Sequence, residues 1–191
     1  LKLANSPFYG FKAKITTIER AINMLGLNTI KSLALSFSVT TSFYDKDAKG
    51  INYTQFWKDS IVGAVSAKLL AEKIRPALAP DAFFMGLLKE MGALTLAYSL
   101  PDAYAQVVSS VGAGESLQEA ETRVLGFNHM EMGEYLVKSW GLPKDFSIPI
   151  GCHHSPDALG AEADPEIVSR ARLLHLASLF TELLNTSKMA D

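Results

Sequence analysis

The sequence has 191 residues, of which 48% are apolar and 20% are charged, and its formal net charge is -2. This composition is typical of a globular protein with a substantial core and excludes a disordered chain. The small net charge favours neither a nucleic acid nor a membrane surface as a partner, and no stretch reaches the roughly 18 apolar residues of a membrane span. The single cysteine, Cys152, excludes an internal disulfide framework and fits a cytoplasmic protein.

Helical periodicity runs through almost the whole chain, beginning with an apolar face over residues 18–25. Thr16 and Glu19 have the spacing of a capping box at the start of this first helix, and Gly26 is predicted to end it. Asn28 is predicted to cap the helix that follows.

A long helix is predicted from Thr54 to Arg75, because Pro76 cannot continue it. Its spacing of bulky apolar residues predicts a buried stripe along one side. The stripe would consist of Ile61, Ala64, Val65 and Leu69.

The next predicted helix begins at Asp81, carries the pair Lys89-Glu90 and ends before Pro101. A shorter helix is predicted over residues 102–111. This reading places the Lys-Glu pair within one continuous, largely apolar helix.

Further helix starts are marked by capping residues in the second half of the chain. Ser116 with Glu119 and Asn128 with Glu131 both have capping-box spacing. Asp164-Pro165-Glu166 places a cap, a proline and an acid in the order that begins a helix. Alternating strands and internal repeats are absent, so the predicted fold class is all-α, with several helices packed into one compact domain over residues 1–191.

Several phrases occur in an order that is typical of one family. They are Leu3 to Gly10, Ile18 to Leu35, Phe56 to Ser60, Gly86 to Gly92, Phe127 to Gly133, Trp140 to Pro143 and His153 to Pro156. Together they resemble the HDOD domain (HD-related output domain) of bacterial signalling proteins, a relative of the HD-superfamily metal phosphohydrolases. The resemblance implies an HD-like helical fold, and it implies that N-terminal helices of the domain precede this sequence.

The resemblance also implies where the metal ligands of an active HD enzyme would fall. These degenerate HD-site positions are Asp59, Lys89, Glu90, His129, His153, His154 and Ser178. By this correspondence, an active HD enzyme would have histidines at the positions of Asp59 and Lys89 and an aspartate at the position of Ser178. Glu90 keeps a carboxylate, but on a longer side chain. Since a protonated ammonium cannot bind a metal, we expect no catalytic residue, no bound metal and no cofactor.

Two readings of Lys89 are open at this point. Its ammonium can occupy part of the former metal site and pair with Asp59, Glu90 or both, or the Lys-Glu pair can face water on an ordinary helix surface. His129 can likewise belong to a residual mixed N/O metal site or simply complete a helix start, and His153 and His154 can be ligands or hydrogen-bonded structural residues.

The predicted function is a non-catalytic, bacterial signal-transduction or protein-interaction module. It would bind a partner protein or a small signalling ligand in or near the cleft that corresponds to the active site of an HD enzyme. The alternative is a metal-dependent phosphohydrolase acting on a nucleotide or cyclic dinucleotide. A third reading is a structural adaptor, for which an exposed apolar patch or a homodimer contact would be the sign.

Overall fold

The computed structural model of the protein describes Asn5, residues 15–27, Ile30 and residues 50–187. The chain divides into two compact units, residues 1–42 and residues 43–191, which are described separately. Every regular element of the described residues is a helix, which confirms the predicted all-α class. None of these helices is both long enough and apolar enough to span a membrane.

In the first unit, α1 spans Ile18–Leu25 and ends at Gly26, whose φ of 82° lies in the region that favours glycine. The predicted capping box at Thr16 is wrong by one residue, because it is the hydroxyl of Thr17 that accepts the amide of Arg20, at 3.2 Å. The predicted cap at Asn28 lies outside the described residues.

The side chain of Asn5 anchors the chain that leads into α1. Its amide nitrogen donates to the carbonyl of Ile15, and its oxygen accepts from the Ile15 amide, both at 2.7 Å. Ile15 packs with Ala21, and the half-buried Leu25 and Ile30 lie against them. Asn5, part of one of the family-like phrases, therefore has a structural role in this unit.

The second unit contains the remaining described helices. They are α2 (Tyr53–Ile74), α3 (Ala79–Leu88), α4 (Met91–Ser99), α5 (Pro101–Ser110), α6 (Leu117–Leu125), α7 (His129–Ser139), α8 (Lys144–Gly151) and α9 (Pro165–Ser187). Both capping boxes predicted for this half of the chain, at Ser116 and at Asn128, are present. The Asp164 carboxylate accepts the amide of Glu166 at 2.8 Å at the start of α9, as the sequence predicted.

Helix α2 has nearly the predicted ends but buries a different face. Ile61 and Leu69 are 53% and 54% exposed, whereas only Ala64 of the predicted stripe is fully buried. The buried positions are Phe56, Ser60, Gly63, Ala64, Ala67 and Ala71. Because α2 packs against both α3 and α9, the small side chains face these helices and allow a close approach, while the bulky residues are left outside.

The predicted helix through Lys89-Glu90 is broken. Helix α3 ends at Leu88 and α4 begins at Met91, so the pair occupies the turn between them. The reason is that α3 packs on α2 while α4 packs on α7. The two halves of the apolar stretch have different partners, and one straight helix cannot reach both.

Two glycines make these helix crossings possible. A Cβ at Gly86 would lie 2.8 Å from the Cα of Ala64 on α2, and one at Gly92 would lie 1.9 Å from the backbone oxygen of His129 on α7. Neither position has space for a side chain. The family-like phrase from Gly86 to Gly92 therefore encodes two close helix contacts on either side of the Lys-Glu turn.

We predict that Gly92→Ala destabilises the protein by about 3 kcal/mol, because overpacking against a backbone atom forces α4 and α7 apart. Denaturant unfolding of the variant measures this. Gly112→Ala is the matched control, since its Cβ would meet only the side chain of Glu115, at 3.5 Å or more. Equal losses of stability in the two variants would contradict the prediction.

Candidate functional site

Four potential metal ligands converge in the second unit. Glu90, His129, His153 and His154 each offer one ligand atom, and these atoms all lie within 4.8 Å of one another. Glu90 comes from the turn between α3 and α4, His129 is the first residue of α7, and the two other histidines follow α8. The tertiary structure thus brings together four of the positions that the family resemblance implied.

The ring of His129 is held in place by a buried carboxylate. Its Nδ1 lies 2.6 Å from Oε2 of Glu121, and the same oxygen accepts the His129 amide at 2.8 Å. The other oxygen of Glu121 accepts the hydroxyl of Tyr104 at 3.0 Å. Burial lowers the pKa of His129, but the hydrogen bond to Glu121 and the charge of Glu90 outweigh it, so that this pKa is raised overall.

Glu121 was missed by sequence reasoning. It lies on α6 two residues after Glu119, which forms the exposed capping box of that helix. The local sequence does not distinguish these two acids, and only the packing of α6 shows that Glu121 is fully buried.

His153 is oriented by backbone groups. Its Nδ1 donates to the carbonyl of Ile150 at 2.8 Å, while its own carbonyl accepts from Nδ1 of His175 at 3.0 Å. Burial is the main cause that lowers the pKa of His153. The half-buried ring of His154 lies 4.2 Å from that of His153, and burial with this neighbour lowers its pKa to about 3. Both rings are therefore neutral near pH 7.

The remaining nitrogens of two histidines point towards Glu90. The Nε2 of His129 lies 3.7 Å from one oxygen of Glu90, and the Nε2 of His153 lies 3.6 Å from the other. Both Nε2 atoms are buried and make no hydrogen bond. A buried polar atom without a partner is costly, so these two atoms mark the centre of the cluster as the place where a cation or polar group would be stabilised.

Lys89 is directed into this centre. Its side chain is only 4% exposed, and its ammonium pairs with Oε1 of Glu90. The end of the side chain passes Gly63 of α2, where an added Cβ would lie 3.3 Å from Lys89 Cε. Burial alone would raise the pKa of Glu90, but Lys89 and the two nearby histidines hold it well below its usual range. The reading of a water-exposed Lys-Glu pair is therefore wrong.

Asp59 and Ser178 lie next to the cluster and outside its set of ligand atoms. Oδ1 of Asp59 accepts from Nε2 of Gln55 at 2.8 Å and from Nδ2 of Asn185 at 3.0 Å. The hydroxyl of Ser178 donates to the carbonyl of Leu174 at 3.2 Å. Lys89 pairs with Glu90 and not with Asp59, so of the pairings predicted for the lysine the structure contains the one with Glu90.

A cavity of about 410 Å³ opens beside Lys89 and Glu90. Helices α2, α5 and α9 supply most of its walls, and the Lys-Glu turn lies at its side towards the histidines. Its lining residues are Gly50, Ile51, Asn52, Gln55, Phe56, Asp59, Lys89, Glu90, Ala93, Tyr104, Val108, Leu117, Ser178, Thr181, Glu182 and Asn185. The cavity thus connects the predicted positions Asp59 and Ser178 with the Lys89–Glu90 pair.

The cluster contains donors that suit a divalent metal, with one opposing feature. Three imidazoles and a carboxylate are a plausible ligand set, and the bonds that orient His129 and His153 are of the kind that surrounds metal ligands. However, the carboxylate of this set is already bound to the Lys89 ammonium. The ammonium and a metal ion would compete for the same oxygen.

Comparisons with known proteins place this geometry in a family. The family model of the HDOD domain matches residues 1–156. An HDOD domain protein of unknown function from Geobacter sulfurreducens is 27% identical with a TM-score of 0.66, covering 95% of this chain and 58% of its own. The MmoQ response regulator from Methylococcus capsulatus str. Bath is 26% identical with a TM-score of 0.61, covering 95% of this chain and 70% of its own.

A candidate phosphohydrolase from Shewanella amazonensis SB2B shares the fold, with a TM-score of 0.70 and 22% identity over 91% of this chain and 61% of its own. The chain therefore spans about three fifths of the length of two of these structures. Comparison with curated proteins finds no match. Since the family model covers most of its length, the chain belongs to the HDOD domain family.

Proposed function

We propose that this HDOD domain is a non-catalytic module of bacterial signal transduction, in which the Lys89 ammonium takes the place of the metal of an HD phosphohydrolase. The observation that carries the proposal is the buried pairing of Lys89 with Glu90 amid His129, His153 and His154. A tethered positive charge at this point satisfies the carboxylate that a metal ion would otherwise bind.

Electrostatics explains why the lysine disfavours a metal. At about 5 Å and an effective dielectric constant of about 20, a divalent cation and an ammonium repel each other by several kcal/mol. The metal would also lose the full charge of Glu90. Moreover, two further positions of the implied ligand set, Asp59 and Ser178, are engaged with Asn185 and with a backbone carbonyl on α9.

The signalling role is supported by the family and by its structural relatives. The chain is an HDOD domain, and one similar structure is a response regulator. We infer a cytoplasmic protein whose HD-like helices bind a partner protein or a small ligand in the cleft beside Lys89, so that binding takes the place of hydrolysis.

A second candidate function is a metal-dependent phosphohydrolase acting on a nucleotide or cyclic dinucleotide. It is favoured by the two buried Nε2 atoms of His129 and His153, which make no hydrogen bond. With Glu90 and His154 these residues would hold a metal, which would supply a Lewis acid for a phosphoryl oxygen. This function requires that Lys89 leave Glu90.

Metal analysis and a hydrolysis assay separate the two functions. We expect the purified protein to contain far less than one equivalent of Fe, Mn or Zn, and to leave bis(p-nitrophenyl) phosphate intact after incubation with Mn²⁺ or Fe²⁺. Stoichiometric metal that is lost in His129→Ala and His153→Ala, together with hydrolysis, would establish the phosphohydrolase instead.

We predict that Lys89→Ala increases the affinity for Zn²⁺ by at least about tenfold, because it removes the competing charge and frees the Glu90 carboxylate. Isothermal titration calorimetry measures the change. Lys138→Ala is the matched control, since Lys138 is 56% exposed and pairs with Glu134 along α7. An unchanged affinity in Lys89→Ala, or an equal gain in the control, would contradict the role of the lysine.

Thiol chemistry at Cys152 is also predicted to be absent. Burial raises the pKa of this thiol to about 11, and its Sγ donates to the carbonyl of Ile148 at 3.0 Å. Little thiolate therefore exists at pH 8, and we expect iodoacetamide to alkylate the native protein at least about 100-fold more slowly than the urea-unfolded chain. Comparable rates in the two states would show a reactive cysteine.

A further inference from the structure

Two amide side chains of the cavity donate to a carboxylate that lines the same cavity. Nε2 of Gln55 and Nδ2 of Asn185 both donate to the same oxygen, Oδ1 of Asp59. This arrangement leaves the carbonyl oxygens of both amides and Oδ2 of Asp59 as acceptors, and one N–H of each amide as a donor. The wall between α2 and α9 therefore offers a ligand the charge of Asp59 together with neutral acceptors and donors.

Three hydroxyl groups of the cavity donate their protons within the protein. Ser178 and Thr181 donate to backbone carbonyls of α9, at 3.2 and 2.9 Å, and Tyr104 donates to the buried Glu121 at 3.0 Å. Each hydroxyl proton is thus already used within the protein, and what remains on the three oxygens is their capacity to accept hydrogen bonds.

The charges of the cavity favour a positive ligand. Lys89 is paired with Glu90, so these two charges largely cancel. Among the described residues, Asp59 is bonded by the neutral amides of Gln55 and Asn185. Its negative charge is left without a cationic partner in that part of the chain, and a ligand can supply one.

The cavity also has apolar lining residues. They are Ile51, Phe56, Val108 and Leu117, and the last two are 42% and 37% exposed. A volume of about 410 Å³ lies in the usual range for small-molecule sites. The cavity therefore combines groups that accept hydrogen bonds with a hydrophobic surface large enough to contact the apolar part of a small organic molecule.

We propose that this cavity binds a small organic cation. Its ammonium or amidinium group would donate to Asp59 and to the amide oxygens of Gln55 and Asn185, and its apolar body would lie against Phe56, Val108 and Leu117. The inference rests on the proposed non-catalytic function, and it names the ligand class of the same cleft. A phosphate group would fit poorly beside Asp59, because the two negative charges repel each other.

Three probes of similar shape and different charge test the proposal on the whole 191-residue chain in the presence of EDTA. They are phenethylamine, 2-phenylethanol and phenylacetate. We expect phenethylamine to bind with one-to-one stoichiometry, at least about tenfold more tightly than either of the others. Calorimetry gives the affinities, and amide chemical-shift changes should map to α2, α5 and α9.

Asp59→Asn should weaken phenethylamine binding by about tenfold or more, since the amide keeps the shape and an acceptor but removes the charge. Asp157→Asn is the matched control, because the side chain of Asp157 is 86% exposed and pairs with Arg172 away from the cavity. Val108→Arg provides an independent variant, in which an exposed lining residue brings a positive charge to the cavity and should abolish binding of the amine.

Failure to bind phenethylamine, tighter binding of phenylacetate, or an unchanged affinity in Asp59→Asn would each overturn the cation site. None of these results bears on catalysis, because no metal is present in the assay. Hydrolysis of bis(p-nitrophenyl) phosphate by the metal-loaded protein would instead overturn the proposed function, whatever the probes do. The two failures are therefore distinguishable.

Discussion

The buried ion pair between Lys89 and Glu90 is the interaction on which the rest of the site depends. A lysine with almost no exposure is stable only when its ammonium is paired, because an isolated buried charge is very costly. Its partner Glu90 also faces the Nε2 atoms of His129 and His153. The same carboxylate thus connects the lysine to the histidine cluster, and removal of either charge would leave the other buried without compensation.

Helix packing determines the position of the Lys89–Glu90 pair. Gly86 lets α3 approach α2, and Gly92 lets α4 approach α7, so the chain must turn between them at Lys89 and Glu90. On one side of the turn lie the histidines, with His129 held by Glu121. On the other side lies the cavity between α2, α5 and α9. The backbone turn therefore lies between the histidine cluster and the cavity.

This arrangement gives a physical account of how a phosphohydrolase scaffold can become a binding module. In the proposed function the lysine supplies the charge that a metal would supply, and the protein has no need of a cofactor to keep Glu90 satisfied. The cleft that would hold a phosphate ester then carries the charge of Asp59, which is bonded by two neutral amides. In these proposals the charge of Lys89 sets the chemistry of the centre, and the charge of Asp59 sets the class of ligand that the neighbouring cleft favours.

The sequence alone determined the all-α class, the ends of α2, the caps at Ser116, Asn128 and Asp164, and the phrases typical of the HDOD family, because capping and periodicity are local properties. It predicted neither the break at Lys89-Glu90 nor the exposed side of α2. Both depend on which helices pack together, and a bulky residue such as Ile61 is buried only if a partner helix leaves room for it. The role of Glu121, the burial of Lys89 and the place of Asp59 in the cavity were likewise decided by the tertiary structure alone, since each arises from contacts between residues far apart in the chain.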